Sequence, residues 1–220
     1  MKNINSLPAF QKLLVLFIAF IIGMMVCRIC YSASLRYIFL LWNLFLGWIP
    51  FQISLYLSKN KVAKWKNWLC LFGWLLFFPN ALYIITDFVH LGAKTNVPVW
   101  YDAVLLFTCA ITGLMMAFAS LYKVEIFLTK RIGKSIANKL VIIALFLGSF
   151  GVYLGRFLRW NSWDIISNPI ELFSEIGVRF LSPLEHYRTW AITLLLTALF
   201  SLIYFGIKKM PAYTHSVKAQ

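Results

Sequence analysis

Asn80, Tyr83, Asp87 and His90 stand three, four and three residues apart. On an α-helix those offsets share one face. Asp87 and His90 are residue types that serve as general base and general acid, and the pair is the candidate acid/base couple of this chain. Countercharge stands in a second stretch, where Tyr153, Arg156, Arg159 and Trp160 lead into Asn161 and Asp164. An arginine fork suits a carboxylate or a phosphate. With Asp102 and His186, these residues make up the candidate ligand-binding set: Asn80, Tyr83, Asp102, Tyr153, Arg156, Arg159, Trp160, Asn161, Asp164 and His186.

The elements that must position them are set by composition. The chain is 61% hydrophobic and 13% charged over 220 residues, which places it among proteins built for lipid. A bilayer core of about 30 Å needs roughly 20 apolar residues per helix. Six stretches qualify, at about 13–30, 37–57, 67–87, 102–122, 139–160 and 184–207. The expected fold is an all-α membrane protein, a single polytopic domain of about six transmembrane helices with a short outer interfacial helix.

Orientation follows from the cations. With the N-terminus inside, 14 of the 21 lysines and arginines fall on the inner side, so the positive-inside rule favours cytoplasmic termini in a bacterial cytoplasmic membrane. Six of the seven carboxylates then lie outside, and Glu125 alone lies within. The net charge of +14 is mostly topology, since the lysines sit in short connectors without interleaved base-stacking aromatics. Membrane lipids are the expected partners and nucleic acid is not. No protein partner is specified.

Lys2 and Lys12 ahead of an apolar run resemble a signal peptide, but Gly23-Met24-Met25-Val26-Cys27 lacks a small-x-small cleavage pattern, so the first span reads as retained. Cys27 and Cys30 form a C-x-x-C without a thioredoxin-like surround and read as apolar helix residues.

Along the helices, Asn80 lies about two turns below the outer boundary and must hydrogen-bond within the protein, with Pro79 loosening the backbone beside it. Asp102, after Pro98, Trp100 and Tyr101, is expected to cap the fourth helix. Arg156 should snorkel or pair, with Asp87, Asp102 or Asp164 as partner. Gly151 and Gly155 form a G-x-x-x-G surface for close helix approach. Asn168-Pro169-Ile170-Glu171 carries a capping box, and Ile170, Phe173, Gly177 and Phe180 repeat at helical spacing, so a lid helix should lie on the outer interface. Ser182-Pro183-Leu184-Glu185 repeats the start signal for the sixth span, with His186 in its first turn.

Three motifs resemble a known family: Pro79 to Leu91 (PNALYIITDFVHL), Val99 to Asp102 (VWYD) and Gly151 to Asp164 (GVYLGRFLRWNSWD). They are similar to those of the bacterial membrane family called domain of unknown function 1361, over nearly the whole chain. The family pattern has proline after Asn-Ala, where this chain has Leu82, so a less kinked third helix is expected here. The resemblance implies a multi-pass membrane protein and no particular activity.

Four readings of the polar cluster stay open. One is an outward site in which Arg156 and Arg159 hold an anionic lipid head group or small anionic solute, with Asp87 and His90 as acid and base. A second is a structural or accessory subunit whose cluster only fixes helix packing. Solute transport is weakened by the lack of internal repeats. A divalent metal on Asp87, His90, Asp164 and His186 is not favoured, because no H-E-x-x-H accompanies them. The cofactor is thus unknown.

Overall fold

A computed structural model describes residues 8–59, 64–92 and 96–218, and the side chains of 8–58, 65–92 and 96–210. Lys2, Lys61 and Lys94, which enter the charge count, lie outside these residues. The described residues are helical throughout their ordered elements: α1 (Ala9–Ser32), α2 (Phe39–Lys59), α3 (Lys64–Tyr83), a 3-10 helix (Ile84–His90), α4 (Val99–Ile132), α5 (Lys134–Phe157), α6 (Asp164–Ser167), α7 (Pro169–Leu181) and α8 (Tyr187–Lys218). Among the described residues six helical stretches are long and apolar enough to cross a bilayer, and the protein is a multi-pass integral membrane protein.

The most enclosed helix is α4, with 67% of its apolar stretch buried against 22% for α8. Around it, α2 packs along both α3 and α4, α5 packs on α3, α4 and α8, and α1 lies against α4. Small residues set the closest crossings. A Cβ on Gly113 of α4 would meet the Ala81 carbonyl oxygen at 2.8 Å, and one on Gly47 of α2 would meet the Ala81 Cα at 3.1 Å, so three helices close on Ala81. On the other side of α3, a Cβ on Gly151 would strike the Pro79 ring at 2.5 Å. The expected glycine face of α5 therefore receives α3 at Pro79, one ring seated against one bare backbone.

Several element ends depart from the hydropathy reading. The third span was expected to stay helical to residue 87, yet its α-helix stops at Tyr83 and tightens into the 3-10 turn Ile84–His90. A proline in the α3 interior, Pro79, leaves the Leu75 carbonyl without its ladder donor, and side-chain donors bond the next two carbonyls, Ser162 Oγ on Leu76 at 3.0 Å and Asn80 Nδ2 on Phe77 at 3.1 Å. Leu82 in place of proline does not leave an undisturbed third helix. The fourth span runs ten residues past the expected 122, because Lys123–Ile132 loses hydropathy but remains amphipathic until Gly133, at φ 85, ends it. The last helix starts at Tyr187 rather than 184, residues 183–186 forming a turn.

The lid helix α7 lies where the capping box put it. Asn168 Nδ2 bonds the Glu171 side chain and caps no backbone amide. Its buried face is Leu172 and Arg179; Ile170 and Phe173 of the helical repeat are 84% and 57% exposed. An interfacial helix turns part of its apolar surface to lipid. Aromatic packing of Phe180 with Phe150 and Trp190 pins the lid to α5 and α8.

Candidate functional site

Arg156 extends from the last turn of α5 against the 3-10 helix. Its Nε donates to Thr86 Oγ1 at 2.8 Å, its Nη2 pairs with Asp87 Oδ1, and its Nη1 lies 3.3 Å from His90 Nε2. The guanidinium also stacks 4.1 Å above the Tyr83 ring. The second Asp87 oxygen accepts from Asn43 Nδ2 of α2 at 2.9 Å. Asp87 is 1% exposed, so this carboxylate is held entirely by α2 and α5. A three-residue repeat is what makes it work, because on a 3-10 turn Tyr83, Thr86 and Val89 eclipse while Asp87 and His90 follow on the adjacent row. The α-helical face inferred from spacing therefore holds for Asn80 and Tyr83, and gives way at Ile84.

A second ion pair stands beside the first. Arg28 of α1 donates from Nε to Asp102 Oδ1 at 2.8 Å and from Nη2 to Oδ2 at 3.3 Å, both side chains almost fully buried. Asp102 is therefore no cap for α4, whose N-cap Pro98 is followed by no side-chain capping bond, and it is no partner for Arg156. Burial explains the difference: with an arginine already inside the bundle at that level, the carboxylate is worth more as a countercharge than as a cap. Tyr37 ties the two pairs together, its ring 4.4 Å from the Arg28 guanidinium and its hydroxyl donating to the His90 carbonyl at 2.8 Å. Burial raises the Tyr37 phenol above its ordinary value, and the Asp102 charge adds to that.

Asp164 is also outside the Arg156 cluster. It folds back on its own turn, accepting from the Asn161 amide at 2.7 Å and from Ser167 Oγ at 2.9 Å, and the Asn161 amide holds its carboxyl below the usual value. Tyr153 is buried and stacks on Phe157. The His186 side chain makes no hydrogen bond among the described residues, and no three described His, Cys, Asp or Glu side chains gather as a metal set, so Asp87, His90, Asp164 and His186 are not brought together. Cys27 and Cys30 are free and exposed.

Between the cluster and the lid lies a cavity of about 340 Å³. Its walls are apolar, formed by Leu46, Leu75, Leu76, Leu147, Leu154 and Leu172. At its rim stand Asn80, Trp160, Asn161 and Ser162, with Asn80 Nδ2 donating to Ser162 Oγ at 2.8 Å. Arg159 next to this rim is exposed, makes no side-chain bond among the described residues and sits at φ 63. A left-handed backbone costs a non-glycine residue about 1 kcal/mol or more.

The model of the family described as "Protein of unknown function (DUF1361)" matches residues 42–203. The chain belongs to the DUF1361 family. All three motifs of the sequence resemblance fall inside the match. The DUF1361 match takes in Asn43, Asp87, Asp102 and Arg156, whereas Arg28 lies before it. No curated protein and no solved structure matches this chain.

Asn43 and Arg28 were missed by spacing, since their partners are 44 and 74 residues away. Arg28 carried a signal nonetheless: an arginine inside the end of an apolar span requires a countercharge. Glu125, passed over as the lone inner carboxylate, is buried with Tyr204 and Lys208 bonded to it.

Proposed function

We propose that the protein lies in a bacterial cytoplasmic membrane with both termini inside, and that its acidic end binds an anionic amphiphile from the outer leaflet. The lysine bias of the connectors supports that orientation. The observation that carries the binding reading is the cavity under α6 and α7, apolar in its walls and polar at one rim. Such a space suits a hydrocarbon chain, because an apolar cavity is filled more readily by apolar matter than by water. The rim groups Asn161 and Trp160 then meet the head group, and Arg159 supplies the charge. Strain at an exposed, unengaged arginine is the kind of feature found at ligand sites.

In this reading Arg156 is not the anion receptor. Each of its three nitrogens already faces a partner and Asp87 neutralises its charge, so the fork is engaged within the protein. Asp87 and His90 accordingly position Arg156; both Asp87 oxygens are engaged, and the carboxyl is not offered to a substrate as a base. The same saturation favours the second reading, a structural subunit in which this cluster only locks α3 to α5.

Native mass spectrometry of the detergent-purified protein separates the two. The binding reading expects a co-purifying anionic lipid that falls away in Arg159→Ala at unchanged thermal stability, and that survives in Arg156→Lys wherever that variant folds. A bare protein in every case, with only Arg156→Lys less stable, leaves the structural reading.

A further inference from the structure

At the lysine-rich end, α1 and α8 leave one stripe of α4 uncovered. Ile111, Leu114, Met115, Phe118, Ala119 and Tyr122 follow offsets of three, one, three, one and three, a single helical face, and together they floor a cavity of about 630 Å³. Phe10 of α1 closes one side, and Ile203 and Ile207 of α8 close the other. The groove forms because α8 packs chiefly on α5, so it stands away from α4 along this face.

The groove ends in polar groups. Glu125, 5% exposed, accepts from the Tyr204 hydroxyl and from the Lys208 ammonium, and both of those side chains also line the cavity. An ammonium has three donors. One goes to Glu125, and the side chain keeps a third of its surface open. Tyr122, about half exposed, makes no hydrogen bond among the described residues, so its hydroxyl is free at the same level. Lys209 follows directly.

We propose that this groove holds one acyl chain of an anionic glycerophospholipid from the lysine-rich leaflet, with the lipid phosphate on Lys208 and Tyr122. The lining fits an acyl chain: the floor and both sides are apolar, and the polar groups Tyr122, Tyr204 and Lys208 stand together where the groove ends. The charge decides the head group: the only carboxylate at the groove's end is already neutralised by Lys208, and the remaining donors point to an anion. Glu125 sets the register of α8 on α4 and moderates the positive charge that the lipid meets.

The full chain in detergent is incubated with an anionic or a zwitterionic glycerophospholipid of the same chains, and native mass spectrometry reads retained lipid. Wild type retains the anionic lipid about tenfold better. Ala119→Trp fills the groove and lowers retention of both lipids. Glu125→Gln keeps a hydrogen-bond acceptor but frees the Lys208 charge, and it raises anionic retention; a purely structural Glu125 would shift stability and leave retention unmoved. Lys208→Met removes the preference for the anionic lipid; where that variant fails to fold, the Ala119→Trp and Glu125→Gln pair carries the test. Equal retention of the two lipids, indifference to Ala119→Trp, displacement by inorganic phosphate, or a dimer lost in Ala119→Trp each overturns the proposal, the last by making a second copy the occupant.

Discussion

Asp87 and Arg156, 69 residues apart in sequence, meet where a 3-10 turn replaces the end of α3, and each is held by further partners. The carboxylate is shared between Arg156 and Asn43, and the guanidinium between Asp87, Thr86, His90 and the Tyr83 ring. Three helical segments are joined through one charge pair that is almost closed to solvent.

Breaking such a pair from one side leaves a buried charge. Asp87→Ala and Arg156→Ala should each cost about 3–5 kcal/mol of stability, and the double variant should cost less than their sum. Thermal melts of the four proteins in one detergent give the coupling directly. Strict additivity would mean that the two residues act independently.

The same logic applied to Arg28 and Asp102 gives a sharper outcome. Both side chains are nearly inaccessible, so Asp102→Ala should abolish accumulation of folded protein or cost about 3–5 kcal/mol. Arg28→Met combined with Asp102→Leu should restore it, because a hydrophobic pair of similar volume replaces a buried ion pair at little cost. Accumulation and melting of the single and double variants check this.

Gly151 receives the Pro79 ring, and a methyl group there has nowhere to go. Gly151→Ala should destabilise by about 1–3 kcal/mol through overpacking. Pro79→Ala in the same chain should recover part of that loss, since it removes the ring that the methyl meets. Gly73→Ala, where a Cβ meets nothing within 4 Å, is the control expected to be neutral or slightly stabilising.

Asp164 gives the pH dependence. Its carboxyl is held below the ordinary 3.8 by the Asn161 amide, so its folded value lies beneath its unfolded one. The stability it lends the 161–168 turn is fully present above 3.8 and is lost as pH falls through the lower folded value. Titration of a carbon-13-labelled Asp164 carboxyl should give a midpoint under 3.8, and Ser167→Ala should raise it. A midpoint at or above 3.8 would contradict the hydrogen-bond assignment.

Much of this was legible in the residues. Hydropathy located all six spans, the glycines of α5 marked its contact with α3, and the Asn168–Glu171 signal placed the lid. Pairing across the bundle was read only in part: Asp87 stood among the three carboxylates offered to Arg156, but spacing could not choose between them. Asp102 at a helix start has a local use as a cap, and nothing local says that Arg28, 74 residues earlier, will claim it. Helix ends failed for a related reason: apolarity marks where lipid stops, while α4 continues as an amphipathic helix to Ile132 and α3 tightens before its apolar run is over.

The central claim is an acyl chain beneath the lid, and photo-crosslinking reads it most directly. Protein in bilayers containing an anionic lipid with a diazirine at its chain end is irradiated, and the adducts are mapped by peptide mass spectrometry. The account predicts adducts concentrated on cavity-lining residues such as Leu75, Leu147 and Ile176, and their loss in Arg159→Ala. Adducts spread evenly over lipid-facing positions such as Trp48 and Leu69, unchanged in that variant, would contradict it.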